Sequence, residues 1–290
     1  RACVFGVWHT DEVLALFDYL RKTQATARPL RLTGFDNQPS GKPGATGGRF
    51  RTMLEMLDPA AVPALLQHEA MLKNIKKENA DNLLAYYTGL LHTLEQNRAR
   101  LLEHLTDHPT WADLAIQEAR SRIAFVRMRS LPIGEGNSIR DRAMADNLDF
   151  VIDTLYPKQK VIVWAHNAHI AYAPEHTGSW KPMGAWLAER RRSDLYTLGL
   201  YMGRGAGATN SRRIYPILPP AAGSFEAILA NGGYKMSLLD FHRPQGSPDA
   251  AWLRTGLEAR TWGINAVRLV PANSYDGVLY IDTVTPPRYR

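Results

Sequence analysis

Apolar and polar residues change their period several times along the chain, and each change marks an element. Val13, Leu16, Phe17 and Leu20 recur at helical spacing behind Thr10-Asp11-Glu12. Thr10 suits the cap, and the two acids suit the positive end of a helix dipole. Leu30-Arg31-Leu32-Thr33-Gly34-Phe35 alternates like a strand and brings Asp36 to its carboxyl end. Residues 37–49, rich in Gly, Pro and Ser, read as a loop, and its glycines fit no phosphate-loop pattern. From about residue 50 to 130 the spacing is helical almost throughout. Asp58-Pro59 marks one start, a long segment carries Leu84, Tyr87, Leu91, Leu94, Leu101 and Leu105 between Asp81 and Leu105, and another follows Pro109. A further helix is expected from Ser138, with Asp141 as its capping-box partner and Met144, Leu148, Val151 and Leu155 facing inward.

Past Pro157 the period changes again. Val161-Ile162-Val163-Trp164-Ala165 is a short apolar run that reads as a buried central strand, and it stops at His166-Asn167-Ala168-His169. Downstream we expect a helix from Lys181, a strand from Leu195 to Tyr201, a helix over 224–230 and a strand over 235–239. Two last strands fall at 262–269 and 277–282, with a glycine-rich loop at 203–213. Strands and helices alternate on both sides of the helical block. The expected fold class is therefore α/β: one domain over residues 1–290, a central sheet flanked by helices, with an all-helical insertion at 50–130.

Length and composition narrow the classes. A chain of 290 residues buries a substantial core. No apolar run approaches the ~18 residues that span a bilayer, so no membrane span is expected. The single cysteine, Cys3, rules out an internal disulfide and an all-cysteine metal site. The net charge of +7 is spread over the chain with no motif of a nucleic-acid module, so it reads as a solvated basic surface. The start at Arg1, without Met or leader pattern, looks internal to a longer protein. The compartment stays open, with cytoplasmic favoured, and so does the oligomeric state.

Ligands of α/β folds collect beyond the carboxyl ends of strands, which is where His166, Asn167 and His169 are expected. Two histidines three apart can be satisfied structural residues, a metal pair, or acid–base and oxyanion groups. A metal needs more ligands, and no second cluster is evident, so no tightly bound zinc is expected. Arg140 beside Asp141 is either a local ion pair or a donor for a carboxylate or oxyanion. Asp36 is either a turn aspartate or a site carboxylate. His68, His92, His104 and His108 read as surface or packing residues. No nucleophile elbow of the serine esterases is present.

Taken in order, these segments resemble the erythromycin esterase family, which also includes succinoglycan biosynthesis proteins. The resemblance rests on Trp8-His9-Thr10-Asp11-Glu12-Val13, Gly34-Phe35-Asp36, Arg140-Asp141-Arg142-Ala143-Met144-Ala145-Asp146-Asn147 and Tyr275-Asp276-Gly277. Its most specific part is Trp164-Ala165-His166-Asn167-Ala168-His169, followed by Met183-Gly184. It implies hydrolysis of a macrolide's lactone ester by activated water, without a covalent acyl-enzyme and without a cofactor. It implies His166, His169 and Arg140 as catalytic residues, and Trp8, Asp36, Asn167 and Met183 as contacts to a small macrolide-like ester. The family's base histidine belongs to a Gly-Glu-x-x-His-Gly motif that this sequence does not contain. The resemblance therefore also implies that the N-terminal part of the family fold is missing, and that hydrolysis by this chain is poor. Two other classes stand beside it: a metal- or haem-binding protein of related fold, and an accessory protein of exopolysaccharide production.

Overall fold

The computed structural model describes residues 5–39, 48–174, 180–242 and 248–290. Cys3 and residues 40–47 of the loop expected over 37–49 lie outside them. Helix α1 (Asp11–Thr23) begins as expected, with the Thr10 hydroxyl accepting the Val13 N–H at 3.2 Å and Asp11 and Glu12 in its first turn. The chain then divides into two compact units, residues 34–162 and residues 6–33 with 163–290.

The first unit is helical. It comprises α2 (Gly48–Leu57), α3 (Val62–Met71), α4 (Lys77–Gln96), α5 (Arg98–His104), α6 (Trp111–Ser130) and α7 (Ile133–Phe150). Phe50, Met53, Leu65, Leu83, Tyr87, Leu94, Leu101 and Val126 form its core. The single long helix expected from Asp81 is two, α4 and α5, which meet at Asn97. Helix α7 starts five residues earlier than Ser138, behind Pro132. Ser138 is thus inside the helix, its hydroxyl turned back to the Gly134 carbonyl at 3.3 Å rather than capping. Packing decides this start: a Cβ at Gly136 would come within 2.6 Å of the Met128 carbonyl, so α6 and α7 touch through this glycine.

The second unit holds the sheet. After the one-turn α8 (Asn167–Ile170) and α9 (Met183–Arg191) come β1 (Leu198–Ala208), β2 (Ile214–Ile217), α10 (Phe225–Ala230) and β3 (Met236–Asp240). The hairpin β4 (Leu257–Thr261) and β5 (Asn265–Leu269), the short α11 (Pro271–Ser274) and β6 (Gly277–Val284) complete it. The sheet order is β2-β1-β6-β3, with β1 and β6 parallel and the other pairs antiparallel. Tyr201, Val278 and Tyr280 pack with Phe225 and Leu229 of α10 on one face. This is an α/β chain with a sheet flanked by helices and a large all-helical part.

Several boundaries differ from expectation. Strand β1 runs seven residues past Tyr201, through the expected loop. Glycines make this possible: a Cβ at Gly205 would lie 2.0 Å from the Val284 carbonyl, and one at Gly203 would lie 2.2 Å from the Tyr280 hydroxyl. The single strand expected over 262–269 is the second half of a hairpin. Trp262 and Gly263 both take positive φ there, 59° and 73°, and turn the chain between β4 and β5. The main correction concerns the two segments expected as core strands. Neither Leu30–Phe35 nor Val161–Ala165 enters a ladder among the described residues. Ile162 is 94% exposed and Trp164 62%. Apolar alternation states what a segment prefers to bury, but a strand forms only where a neighbour receives its backbone groups.

Candidate functional site

The His166-Asn167-Ala168-His169 turn is built by backbone closure around α8. The Nδ1 of His166 accepts the Ala168 N–H at 3.2 Å, so His166 caps α8, and the His166 carbonyl accepts the His169 N–H at 2.9 Å. Accepting at Nδ1 leaves the proton of a neutral imidazole on Nε2. Partial desolvation of the ring, together with repulsion from His169, holds the His166 pKa below its ordinary 6.5, although the residue as a whole stays open to solvent. The lowered pKa favours the neutral ring at pH 7, and the Ala168 contact favours the tautomer whose Nε2–H is a donor. Trp262 lies 5.8 Å from the His166 ring and Trp180 lies 6.4 Å from that of His169.

Asn167 holds this turn against β1. Its Nδ2 donates to the Leu200 carbonyl at 2.8 Å, and its Oδ1 accepts the Leu200 N–H at 3.0 Å. The side-chain amide thus takes the place of a neighbouring strand at one residue of β1. Behind the turn, α9 approaches so closely that a Cβ at Gly184 would lie 2.0 Å from the Ile170 carbonyl. Met183, only 1% exposed, is part of that packing. Trp8 meets Trp164 edge-on at 5.3 Å.

The other candidate residues belong to the helical unit. Arg140 grips Asp36 with two hydrogen bonds, Nε to Oδ1 at 3.1 Å and Nη2 to Oδ2 at 2.7 Å. Asn147 donates to the Phe35 carbonyl at 2.7 Å, tying the residue before Asp36 to α7. Within the helical unit the structure brings Asp36 and Arg140 together, and within the unit of the sheet it groups His166, Asn167 and His169. Among the described residues no three His, Cys, Asp or Glu side chains gather closely enough to hold a metal ion.

A second polar centre was not singled out by sequence spacing. Asp276, 1% exposed, lies immediately before β6 and accepts four hydrogen bonds. The donors are the Tyr172 hydroxyl at 2.5 Å, the Thr197 N–H at 2.7 Å, Arg192 Nη2 at 2.5 Å and His242 Nε2 at 2.9 Å. Despite burial, these donors hold the Asp276 carboxyl below its ordinary range, while burial pushes the Tyr172 hydroxyl up to about 12. The donors come from four separate stretches of chain, so spacing could not reveal them. The one signal was Asp276 itself, within Tyr275-Asp276-Gly277.

The ordered His166 tautomer has a spectroscopic consequence. In nitrogen-15 spectra His166 is expected to show a protonated Nε2 and an unprotonated Nδ1 at pH 7, and to titrate below 6.5. A depressed folded pKa means that the unfolded chain takes the proton first as pH falls. The contribution of neutral His166 to stability is thus intact above 6.5 and is lost as pH drops through the lowered value. Titration at or above 6.5, or the opposite tautomer, would contradict the assignment.

The chain is 28% identical to YbfO of Bacillus subtilis (strain 168), whose name assigns it provisionally to the hydrolases, over 98% of this chain and 70% of that protein. A solved succinoglycan biosynthesis protein superposes with a TM-score of 0.78 at 17% identity, covering 98% of this chain and 73% of that one. A Bacillus cereus protein does so at 0.81 and 18%, covering 99% and 75%. The erythromycin esterase EreC, as a point mutant in its open conformation, superposes at 0.70 and 19%, covering 94% and 72%. These structures share the fold. The family description "Erythromycin esterase" matches residues 1–284, and the chain belongs to the erythromycin esterase family.

Proposed function

We propose that the chain is an ester hydrolase that opens a macrolide-like lactone with water. The observation that carries this reading is the contact of the Ala168 N–H with His166 Nδ1 at 3.2 Å, which turns the other ring nitrogen, Nε2, into the donor of a neutral imidazole. Water attacking an ester puts negative charge on the carbonyl oxygen. A positioned donor that need not reorganise stabilises that charge in the transition state more than it stabilises the substrate. In this proposal His166 donates to the oxyanion or to the leaving alkoxide, and His169 orients the attacking water. Asn167 acts as a positioning residue, because both ends of its amide are engaged by Leu200. Trp8 and Trp164 offer exposed aromatic surface to the apolar body of a macrolide. Arg140 gives Nε and Nη2 to Asp36, so the proposal assigns that pair to holding the chain at Asp36 rather than to the oxyanion.

The direct test is to incubate a 14-membered macrolide with the protein and follow it by mass spectrometry. A ring-opened hydroxy acid, heavier by one water and formed faster than in buffer, supports the reading even if turnover is slow. Absence of any acceleration, in a preparation whose His166 spectrum is as described above, overturns it.

A further inference from the structure

The sheet has a second face. The registers of β1, β6 and β3 place Leu200, Leu279 and Leu238 abreast, and two residues on they place Met202, Ile281 and Met236 abreast. These six point away from the face that carries Tyr201, Val278 and Tyr280, since side chains alternate along a strand. Leu200 is 50% exposed, Leu238 63% and Met236 62%, with Leu279, Ile281 and Met202 half-buried between them. Two complete rows of apolar side chains thus face outward on a sheet whose central pair, β1 and β6, is parallel. Parallel strands are found with both faces covered, because their crossover connections lay helices on them. Here α10 covers the opposite face.

We infer that this outer face seats an amphipathic α-helix, lying along the Leu and Met rows. Dimensions favour one helix. Three strands span two interstrand spacings, about 10 Å, which matches the ~10–12 Å width of a helix with its side chains. An added strand has no place on a face, where no backbone groups are offered. A second copy of the chain is disfavoured by area. Six aliphatic side chains, three of them already half-buried, expose on the order of a few hundred Å², short of the roughly 800 Å² per partner of a stable interface. Length is available among relatives: 98% of this chain matches only 70% of YbfO, and the superposed structures extend beyond the match by a similar share. Beyond the Met row the same face carries Arg204, which is held by Asp282 at 2.9 Å, so the apolar stripe ends at a neutralised, polar edge. This inference does not depend on the proposed hydrolysis.

The test uses synthetic peptides of about 20 residues, ~30 Å of helix, tiling the part of YbfO that this chain does not match. Binding is read by fluorescence anisotropy and helicity by circular dichroism. One peptide with an apolar stripe is expected to bind and become helical. Its affinity should fall at least ~10-fold, about 1.4 kcal/mol, with Leu238→Lys and again with Met236→Lys. Leu218→Lys, at an exposed leucine outside the two rows, should leave it unchanged. Thermal melts of the three variants show which remain folded, and either face variant suffices. Three results overturn the inference: no peptide binds, binding is indifferent to both face variants, or the chain sediments as a dimer that Leu238→Lys dissociates. The last would make a second copy the occupant.

Discussion

In a protein that also carries the family's N-terminal base motif, replacing His166 or His169 with alanine is expected to lower macrolide hydrolysis per folded molecule by about 10²–10³, the usual cost of losing one preorganised donor at a developing oxyanion. The expectation is sharpest for His166. Its Nδ1 is already occupied by the Ala168 N–H at 3.2 Å, so its Nε2–H is placed without reorganisation when charge develops. His166→Gln keeps an N–H donor but not the capping acceptor, and should recover only part of the loss. His169→Ala removes the repulsion that helps depress His166, so the His166 titration should move upward in that variant. If the two histidines only satisfy neighbours, alanine at either should lower the melting temperature and leave turnover per folded molecule near normal. Melting temperature and turnover measured on the same variants separate the two cases, and unchanged turnover in both removes the catalytic assignment.

The second large effect concerns stability and lies in the helical unit. Arg122 on α6 is buried at 3% exposure and donates to Glu69 at 3.1 and 3.4 Å and to Glu118 at 3.3 Å. The Tyr87 hydroxyl donates to the same Glu69 carboxylate at 2.9 Å. Arg122→Met keeps much of the volume but leaves Glu69 with the Tyr87 hydroxyl and Glu118 with the partly exposed Arg49 as their remaining side-chain donors. We expect it to cost about 3–5 kcal/mol, as for other buried ion pairs that lose one partner. Arg98 and Asp113 form a shorter, two-point pair at 2.6 and 2.9 Å, but the Arg98 side chain is about half exposed to solvent. Arg98→Met should therefore cost no more than about 1 kcal/mol.

The pH dependence follows from Glu118. Burial raises its carboxyl above the ordinary 4.5, against the pull of Arg122 and Arg49. A raised folded pKa means that the folded state keeps a proton which the unfolded chain has released. Glu118 thus weighs increasingly against the fold as pH rises from 4.5 through its raised value. Without Arg122 that weight grows, so the penalty of Arg122→Met should be largest at neutral pH and shrink toward pH 4.5. Urea unfolding of both variants at two pH values checks this. A penalty below that of Arg98→Met, or one independent of pH, would show that the network is replaceable by apolar packing.

These results separate what this sequence determined by itself from what tertiary structure decided. Local patterns sufficed where the interaction is local. Thr10 capping α1 needs only the N–H three residues on. The helical block between residues 50 and 130 follows from apolar spacing, because a helix closes its own hydrogen bonds and spacing alone fixes its buried face. The tight turn at His166–His169 also follows from adjacent residues. Sequence failed where a remote partner is required. Leu30–Phe35 and Val161–Ala165 have the composition of strands but no ladder partner among the described residues, whereas Gly203–Ala208, read as a loop, is strand because Val284 and Tyr215 lie against its glycines. Asp276 collects donors from positions 172, 192, 197 and 242, and Asn167 reaches a backbone 33 residues away. A buried carboxylate or amide is satisfied by whatever donors the fold brings to it. Periodicity carries no record of those distances, and so the residues that hold the turn in place became visible only in three dimensions.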